Sequence, residues 1–258
     1  MGKAAFRACL IIGVLLEMFF GSVICSPVYA YSSYGKSPVQ QHTATTHSDK
    51  KVHGELIILV HGLMRTSMSM SLLKAFLEHQ GYTVYSYSYP SPSHSIHEHS
   101  LSLQSYIDKL AKNYPGVTIH FITHSLGGII VREALAQIPD EQRKNMGFLI
   151  MLAPPNQGSS LAKLSLKILP AIAYFIKPLA ELSSDPSSYV HRVPIPQMKI
   201  GIIAGRFDAK VPPSSAKLNG TPEFVVINST HTFIMNDFKA QKLILNFLEQ
   251  GSFNKPPQ

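Results

Sequence analysis

The chain has 258 residues, of which 45% are hydrophobic and 15% charged, and its formal net charge is +8. A chain of this length forms one domain of ordinary size, or at most two small ones, and buries a core without needing disulfides. The composition excludes collagen, a coiled coil and extensive disorder. Because the positive charge is spread out, with no run of five like charges, the sequence does not favour a nucleic-acid partner.

The N-terminal segment has the pattern of a secretory signal peptide. Lys3 and Arg7 precede an apolar stretch that ends in Val28-x-Ala30, which favours cleavage after Ala30. Glu17 interrupts this stretch and would cost about 2.5–3.5 kcal/mol at the centre of a bilayer, so it argues against a permanent anchor. We expect an exported protein, whether periplasmic, envelope-associated or secreted; a retained anchor is the alternative.

Both cysteines, Cys9 and Cys25, lie within the predicted signal peptide, residues 1–30. Cleavage would therefore leave a chain without cysteine, and would exclude thiolate catalysis, cysteine-ligated zinc and disulfides together. Removing the two basic residues and the one acidic residue of this segment changes the net charge from +8 to +7. Residues 31–54 are polar and without periodicity, which predicts a flexible linker.

Residues 55–250 are predicted to form one catalytic domain, in which apolar runs alternate with helical patterns. The predicted strands are Leu56–Val60, Thr83–Ser88, Val117–Thr123, Gly147–Leu152, Lys199–Ala204 and Glu223–Ile227. The predicted helices are Met70–His79, Leu101–Asn113, Leu126–Gln137 and Phe238–Leu248. This alternation predicts an α/β fold with a mostly parallel sheet of about six strands and helices on both faces.

A long apolar segment, Leu161–Leu182, departs from this alternation and predicts a short cap-like insertion around residues 158–185. Its apolar residues recur at helical spacing, and two prolines must interrupt the helix. Ordinary packing helices would explain the pattern. A lid or a wall of an acyl-binding pocket would explain it equally well, with Phe175 and Ile176 as candidate substrate-binding residues.

The strongest chemical signal is Phe121-Ile-Thr-His-Ser-Leu-Gly-Gly128, directly after a predicted strand and before a predicted helix. This context is typical of a nucleophile elbow, in which a tight turn lifts the hydroxyl of Ser125 above the sheet edge. A helix N-cap serine is the simpler alternative. A second motif, His61-Gly62-Leu63, ends the first strand, where a loop can direct a backbone N–H at the same oxyanion.

A catalytic serine needs a base, and the base needs an orienting carboxylate. Asp208 follows the fifth predicted strand directly, and His231 follows the sixth, so the chain order Ser, Asp, His fits this arrangement. Glu181, Asp185 and Glu223 are the rival carboxylates before His231. Of these, Glu223 opens a strand and is expected at the opposite edge of the sheet.

At these residues the chain resembles the α/β-hydrolase superfamily, specifically small bacterial lipases and esterases. The resemblance implies Ser125 as nucleophile, His231 as base and Asp208 as its orienting acid, with the amides of Leu63 and Leu126 as the oxyanion hole. Three neighbours, His61, Gly62 and His124, are then expected to shape the substrate-binding site. One residue departs from the usual Gly-x-Ser-x-Gly pattern, since Thr123 stands at the first glycine.

A run of histidines, His94, His97 and His99, surrounds Glu98 and would be a metal-site candidate. We interpret it as a polar loop entering a helix, and we expect neither a metal nor another cofactor because the triad chemistry requires none.

The resulting hypothesis is a serine hydrolase that cleaves carboxylic esters through an acyl-enzyme, with an ester or lipid as substrate and transient contact with a membrane or lipid surface. An acyltransferase, an amidase or a thioesterase would use the same triad. A catalytically silent protein that binds lipid is the alternative of a different class.

Overall fold

The computed structural model describes residues 54–220 and 222–254, all within a unit that spans Val52–Gln258. The predicted signal peptide, residues 1–30, lies outside the described residues, as does nearly all of the predicted linker. Both stay predictions.

Six parallel strands form a single sheet in the order β2-β1-β3-β4-β5-β6. They are β1 (Glu55–Val60), β2 (Thr83–Tyr87), β3 (Thr118–His124), β4 (Met146–Leu152), β5 (Ile200–Gly205) and β6 (Glu223–Ile227). The prediction of a parallel sheet of about six strands is confirmed. Because all six strands run the same way, the loops that follow them meet at one edge of the sheet.

Helices cover both faces of this sheet, as predicted. Among the described residues the α-helices are α1 (Ser71–His79), α2 (Ile96–Asn113), α3 (Leu126–Ala136), α4 (Asp140–Arg143), α5 (Ser160–Ile168), α6 (Ile172–Phe175), α7 (Lys177–Glu181), α8 (Pro213–Ala216) and α9 (Phe238–Gln250). Short 3-10 helices occupy Ser67–Met70, Tyr189–Arg192 and Ile234–Asn236.

The side chains of β1 show how the core is divided. Ile58 and Val60 pack on one face with α2 and α3, whereas Ile57 and Leu59 pack on the other with α1 and α9. Both faces of the strand are buried, which explains its continuous apolar sequence.

Helix α2 begins five residues before its predicted start, because its first turn is polar. The hydroxyl of Ser95 accepts the amide of Glu98 at 3.1 Å, and the Glu98 carboxylate accepts the amide of Ser95 at 2.7 Å. This reciprocal capping box starts the helix ahead of the apolar periodicity from which it was predicted.

The predicted insertion consists of the three short helices α5, α6 and α7. Pro170 lies between the first two, and Pro178 lies in the first turn of the third, where a missing N–H is tolerated. The hydroxyl of Ser159 donates to the carbonyl of Lys210 at 3.0 Å, and the amide of Lys177 donates to the carbonyl of Pro92 at 2.9 Å. The insertion is thus attached to the loops after β5 and β2.

Within the described part of the chain, no helix is both long and apolar enough to cross a membrane.

Candidate active site

Ser125 stands in the turn between β3 and α3 with a φ of 52°, a left-handed conformation that non-glycine residues rarely adopt. Its amide donates to the carbonyl of Leu152 at 2.9 Å, and its carbonyl accepts the amide of Gly128 at 2.9 Å. These bonds hold the strained turn on the neighbouring strand and on the first turn of the helix. Such strain is concentrated at functional sites.

Two glycines allow this turn to sit so close to its neighbours. A Cβ at Gly127 would lie 2.5 Å from the carbonyl oxygen of Val60 and 2.6 Å from that of His61. A Cβ at Gly128 would lie 3.1 Å from the hydroxyl of Thr123. Thr123 is therefore accommodated in place of the usual glycine because the residue facing it has no side chain.

His231 lies between Ser125 and Asp208. Its Nδ1–H donates to Oδ2 of Asp208 at 2.7 Å, because a carboxylate can only accept. Its Nε2 is then left without a proton and faces Oγ of Ser125 at 3.0 Å, as an acceptor for the serine proton. The structure brings together three residues that are far apart in the sequence, each on a loop at the carboxyl edge of the sheet.

The carboxylate of Asp208 is buried and fully engaged. Its other oxygen, Oδ1, accepts the amides of Lys210 at 2.9 Å and Val211 at 2.7 Å. These donors fix the orientation of the carboxylate. Neither Glu181, which accepts the amide of Ile96, nor Asp185, which pairs with a lysine, contacts the base.

His124 is buried beside His231, and the centroids of the two rings are 4.9 Å apart. Its Nε2–H donates to the carbonyl of His231 at 2.9 Å, so it holds the backbone of the catalytic histidine. Burial, followed by the charge of His231, sets the pKa of His124 well below its usual value. A neutral imidazole in this place positions the base and does not compete with it. The prediction that His124 helps to shape the substrate-binding site stays a prediction.

The loop after β1 approaches the nucleophile closely at Gly62. A Cβ there would lie 2.9 Å from Nδ1 of His124 and 3.0 Å from Cβ of Ser125, so only glycine fits. The predicted oxyanion donor, the amide of Leu63, follows directly. The other, the amide of Leu126, belongs to the first turn of α3, where amides have no partner within the helix. The roles of both amides stay predictions.

Ser91 forms a hydrogen bond with the loop after β1, and this contact was not predicted from the sequence. Its hydroxyl accepts the amide of Met64 at 3.0 Å, and Met64 has a φ of 54°. The bond thus fixes the backbone of Met64, which has a positive φ, next to the predicted oxyanion donor. The only hint in the sequence is that Ser91 follows β2 within Pro90-Ser-Pro92, at the same edge of the sheet.

His61 is wholly buried against other protein groups, and its predicted part in the substrate-binding site stays a prediction. Its ring stacks on Tyr89 with centroids 4.2 Å apart, its Nδ1–H donates to the carbonyl of Gly62 at 3.0 Å, and Nε2 accepts the amide of Tyr89 at 3.4 Å. Burial is the main cause of its lowered pKa. Like His124, His61 contacts neighbouring protein groups of the site.

The insertion separates the two residues that were predicted to contact substrate. Ile176 is buried, at 7% exposure, and belongs to the packing of the insertion, whereas Phe175 is 78% exposed. Tyr174, next to it, is also exposed. A substrate contact stays a prediction for both residues, although the burial of Ile176 leaves little of its side chain free for one.

The histidines that were weighed as a metal site do not converge on one point. His97 pairs with the buried Glu133 at 2.7 Å, and the ring of His99 stacks edge-on with Tyr89. Within residues 54–220 and 222–254, no group of three or more potential ligands could hold a metal ion.

The fold built by these elements is that of the α/β hydrolases. A family model described as a domain of unknown function (DUF7379) matches residues 28–168, which is more than half of the chain. The chain belongs to this family.

Solved structures with the same fold include a lipase and an esterase. The lipase BlEst2 of Bacillus licheniformis in its propeptide form superposes with a TM-score of 0.62 at 16% identity, over 80% of this chain and 53% of that one. The metagenomic carboxyl esterase MGS0156 superposes with a TM-score of 0.60 at 17% identity, over 88% of this chain and 80% of that one. At these identities the likeness establishes the fold alone.

Among curated proteins, the lysosomal thioesterase PPT2-B of Xenopus laevis is 29% identical over 115 residues. The match covers 43% of this chain and 39% of the thioesterase. The chain thus spans about two-fifths of this relative and about half of the BlEst2 chain.

Proposed function

We propose that the protein is a serine hydrolase that cleaves carboxylic esters through an acyl-enzyme. The observation that carries the proposal is the hydrogen-bonded series from Ser125 Oγ to His231 Nε2, at 3.0 Å, and from His231 Nδ1 to Asp208 Oδ2, at 2.7 Å. Both distances are already within the range needed for proton transfer and for orientation of the base. The esterase and lipase folds to which the chain is similar support the same class.

In the proposed mechanism, Oγ of Ser125 attacks the acyl carbon while its proton passes to Nε2 of His231. The imidazolium that results is stabilised by Asp208, which stays ionised. The amides of Leu63 and Leu126 donate to the oxyanion of the tetrahedral intermediate. His231 then protonates the leaving alcohol, the acyl group stays on Ser125, and water activated by His231 releases the acid.

Exposed aromatic residues near the triad favour an ester with an apolar acyl group. Phe207 precedes Asp208 and is 63% exposed, and Phe233 follows His231 by two residues and is 65% exposed. Tyr174 and Phe175 add two exposed aromatic rings on the insertion. Exposed apolar side chains that flank triad residues in the chain, as Phe207 and Phe233 do, favour contact with an apolar ligand or a lipid surface.

A thioester is the second candidate substrate. The partial similarity to the thioesterase PPT2-B supports it, and the same triad attacks thioesters and oxygen esters. The site geometry alone does not favour either leaving group.

Turnover of matched substrates tests both candidates. The full chain is assayed with an oxygen ester and a thioester of the same acyl group, each beside Ser125→Ala. We expect hydrolysis of at least one, with a loss of about 10³-fold or more in the folded Ser125→Ala protein. A folded variant with near wild-type turnover of both substrates would refute the assignment. The ratio of the two wild-type rates identifies the preferred leaving group.

We further propose that the protein is exported after cleavage of residues 1–30, on the basis of the basic, apolar and cleavage-site pattern of that segment. N-terminal sequencing of the extracytoplasmic protein is expected to begin at or near Tyr31. A cytoplasmic protein that keeps Met1 would contradict this.

A further inference from the structure

Each of the two loops beside the triad carries a basic residue. Arg65 follows the predicted oxyanion donor by two residues, and its amide donates to the carbonyl of Gly62 at 3.3 Å. Lys210 follows Asp208 by two residues, and its amide donates to the Asp208 carboxylate at 2.9 Å. Because Gly62 lies against Ser125 and Asp208 against His231, both basic residues are attached directly to the catalytic machinery.

Neither basic side chain has a direct partner. Arg65 and Lys210 are both half-buried, yet neither forms an ion pair or a side-chain hydrogen bond with any residue that the structure describes. Partly buried cations are normally paired, because the loss of hydration is otherwise uncompensated. Two partly buried cations without direct partners, such as Arg65 and Lys210, therefore favour the binding of an anion.

The two cations also influence the pKa values of neighbouring groups. Burial, and then repulsion by Arg65, lowers the pKa of Lys210, and the charge of Asp208 opposes this shift. Both cations also contribute to the low pKa of His124, which lies beneath the nucleophile. These influences agree with the backbone hydrogen bonds, which attach Arg65 and Lys210 to the two loops beside the triad. Positive charge in a cleft concentrates anionic substrates there.

We propose that Arg65 and Lys210 form an anion subsite that receives a phosphate group on the alcohol half of the ester. An apolar acyl chain would avoid two unpaired cations, so the charged group belongs to the leaving alcohol. The guanidinium offers paired N–H donors and the ammonium a compact charge, a combination that suits phosphate oxygens. This inference rests on the proposed function and assigns its substrate class: esters of a phosphorylated alcohol.

Two substrates that differ only in the phosphate test the subsite. Lysophosphatidic acid and monoacylglycerol with the same acyl chain are compared with the full-length protein, below the concentrations at which they aggregate. We expect kcat/KM to favour the phosphorylated ester by about tenfold or more, since hydrogen bonds to charged groups contribute roughly that factor. Added salt should reduce the preference by screening.

The variants Arg65→Gln and Lys210→Gln should each lower this preference about fivefold to tenfold, mainly through a higher KM for the phosphorylated ester. Arg206→Gln is the matched control, because Arg206 is an exposed cation on the loop of Asp208. It should leave the preference unchanged. If both test variants keep the wild-type preference, or if they slow the two esters equally, the subsite does not exist.

A binding measurement separates this inference from the proposed function. Ser125→Ala is titrated with a long-chain alkyl phosphate and with the matching alcohol in a calorimeter. Binding of the phosphate that is stronger than that of the alcohol, and that is lost with Arg65→Gln, supports the subsite even if no ester is hydrolysed. Equal binding of both ligands contradicts it. Inorganic phosphate that binds as strongly as the alkyl phosphate would assign the cations to free phosphate and also contradict it.

Discussion

Two histidines meet at the nucleophile, and their hydrogen bonds give them different tasks. The ring of His231 bonds Asp208 on one side and Ser125 on the other, whereas the ring of His124 donates to the backbone of His231. Because burial lowers the pKa of His124, the proposed mechanism assigns the charge that develops to His231 alone. The carboxylate of Asp208 is then the group that stabilises this charge.

Asp208→Asn should lower kcat by about 10²–10⁴-fold, because an amide disfavours the tautomer that leaves Nε2 free and no longer stabilises the imidazolium. The melting temperature should change far less than the activity. Steady-state kinetics and thermal melting of the purified variant check this.

The controls for this prediction are Glu181→Gln and Asp185→Asn, since both carboxylates lie on or beside the insertion and bind other groups. Each should retain most of the activity. If one of them is crippling while Asp208→Asn stays active, the orienting acid has been assigned to the wrong loop.

The residues of the triad could be predicted from the sequence, but the hydrogen-bond partners of the residues around it could not. Ser125, Asp208 and His231 were predictable because chain order and strand-end position are visible in a sequence. The buried positions of His61 and His124 were not, because the partners of a ring depend on tertiary packing. Ser91 was missed for the same reason, as its hydroxyl bonds an amide 27 positions away.

The packing of α3 against the end of β1 fixes the nucleophile relative to the oxyanion loop. Gly127 makes this possible, since a Cβ there would lie only 2.5 Å from a backbone oxygen that cannot rotate away. The helix and the strand therefore have little freedom to move apart without displacing Ser125.

Gly127→Ala should destabilise the fold by about 1–3 kcal/mol through overpacking. It should also lower kcat by about tenfold or more, because a small displacement of the nucleophile is costly. Denaturant unfolding and kinetics on one ester measure the two effects. Gly54→Ala is the control, since a Cβ at Gly54 meets nothing within 4 Å. A wild-type kcat in a folded Gly127→Ala protein would contradict this role for the packing.

Elements were predictable where periodicity or turn chemistry was strong. The strands β1, β3 and β6 were located to within a residue or two. For β1 the reason is burial on both faces, which gives a continuous apolar sequence, whereas β6 is a partly buried edge strand. The start of α2 was placed too late because its first turn is polar. The insertion was recognised from its apolar residues, but its division into α5, α6 and α7 depends on contacts with loops distant in the sequence.

Across the whole molecule, several histidines are buried in the neutral form. Burial is the largest cause of the lowered pKa of His61, His99, His120 and His124, and it brings the pKa of His99 to about 4. In the unfolded chain, histidines titrate near pH 6.5. As the pH falls below that value, the unfolded state binds protons that the folded state does not, so the free energy of unfolding decreases.

The melting temperature should therefore fall as the pH is lowered from about 7 to about 4, each such histidine contributing at most about 1.4 kcal/mol per pH unit. His99→Phe should make this dependence shallower, because it removes one of the responsible groups. His191→Gln is the control, since His191 is exposed and should not alter the slope. An unchanged slope in His99→Phe would contradict this explanation of acid sensitivity.

The position of the site at one sheet edge was predictable from the strand-end positions of its residues, whereas the order of the strands was not predicted. Local patterns indicated a parallel sheet but did not determine which strands are neighbours. The unpaired cations Arg65 and Lys210 could not be identified from the sequence, because the absence of a partner is a property of the folded molecule.

Covalent labelling with a fluorophosphonate tests most directly whether Ser125 is an activated nucleophile. The full-length protein is treated with the probe, and the adduct is located by mass spectrometry of its peptides. We predict a single adduct on Ser125, no adduct in Ser125→Ala, and much slower labelling in His231→Gln, because the hydroxyl then lacks its base. A wild-type protein that does not react, or a Ser125→Ala protein that is labelled as fast as wild type, would contradict the account.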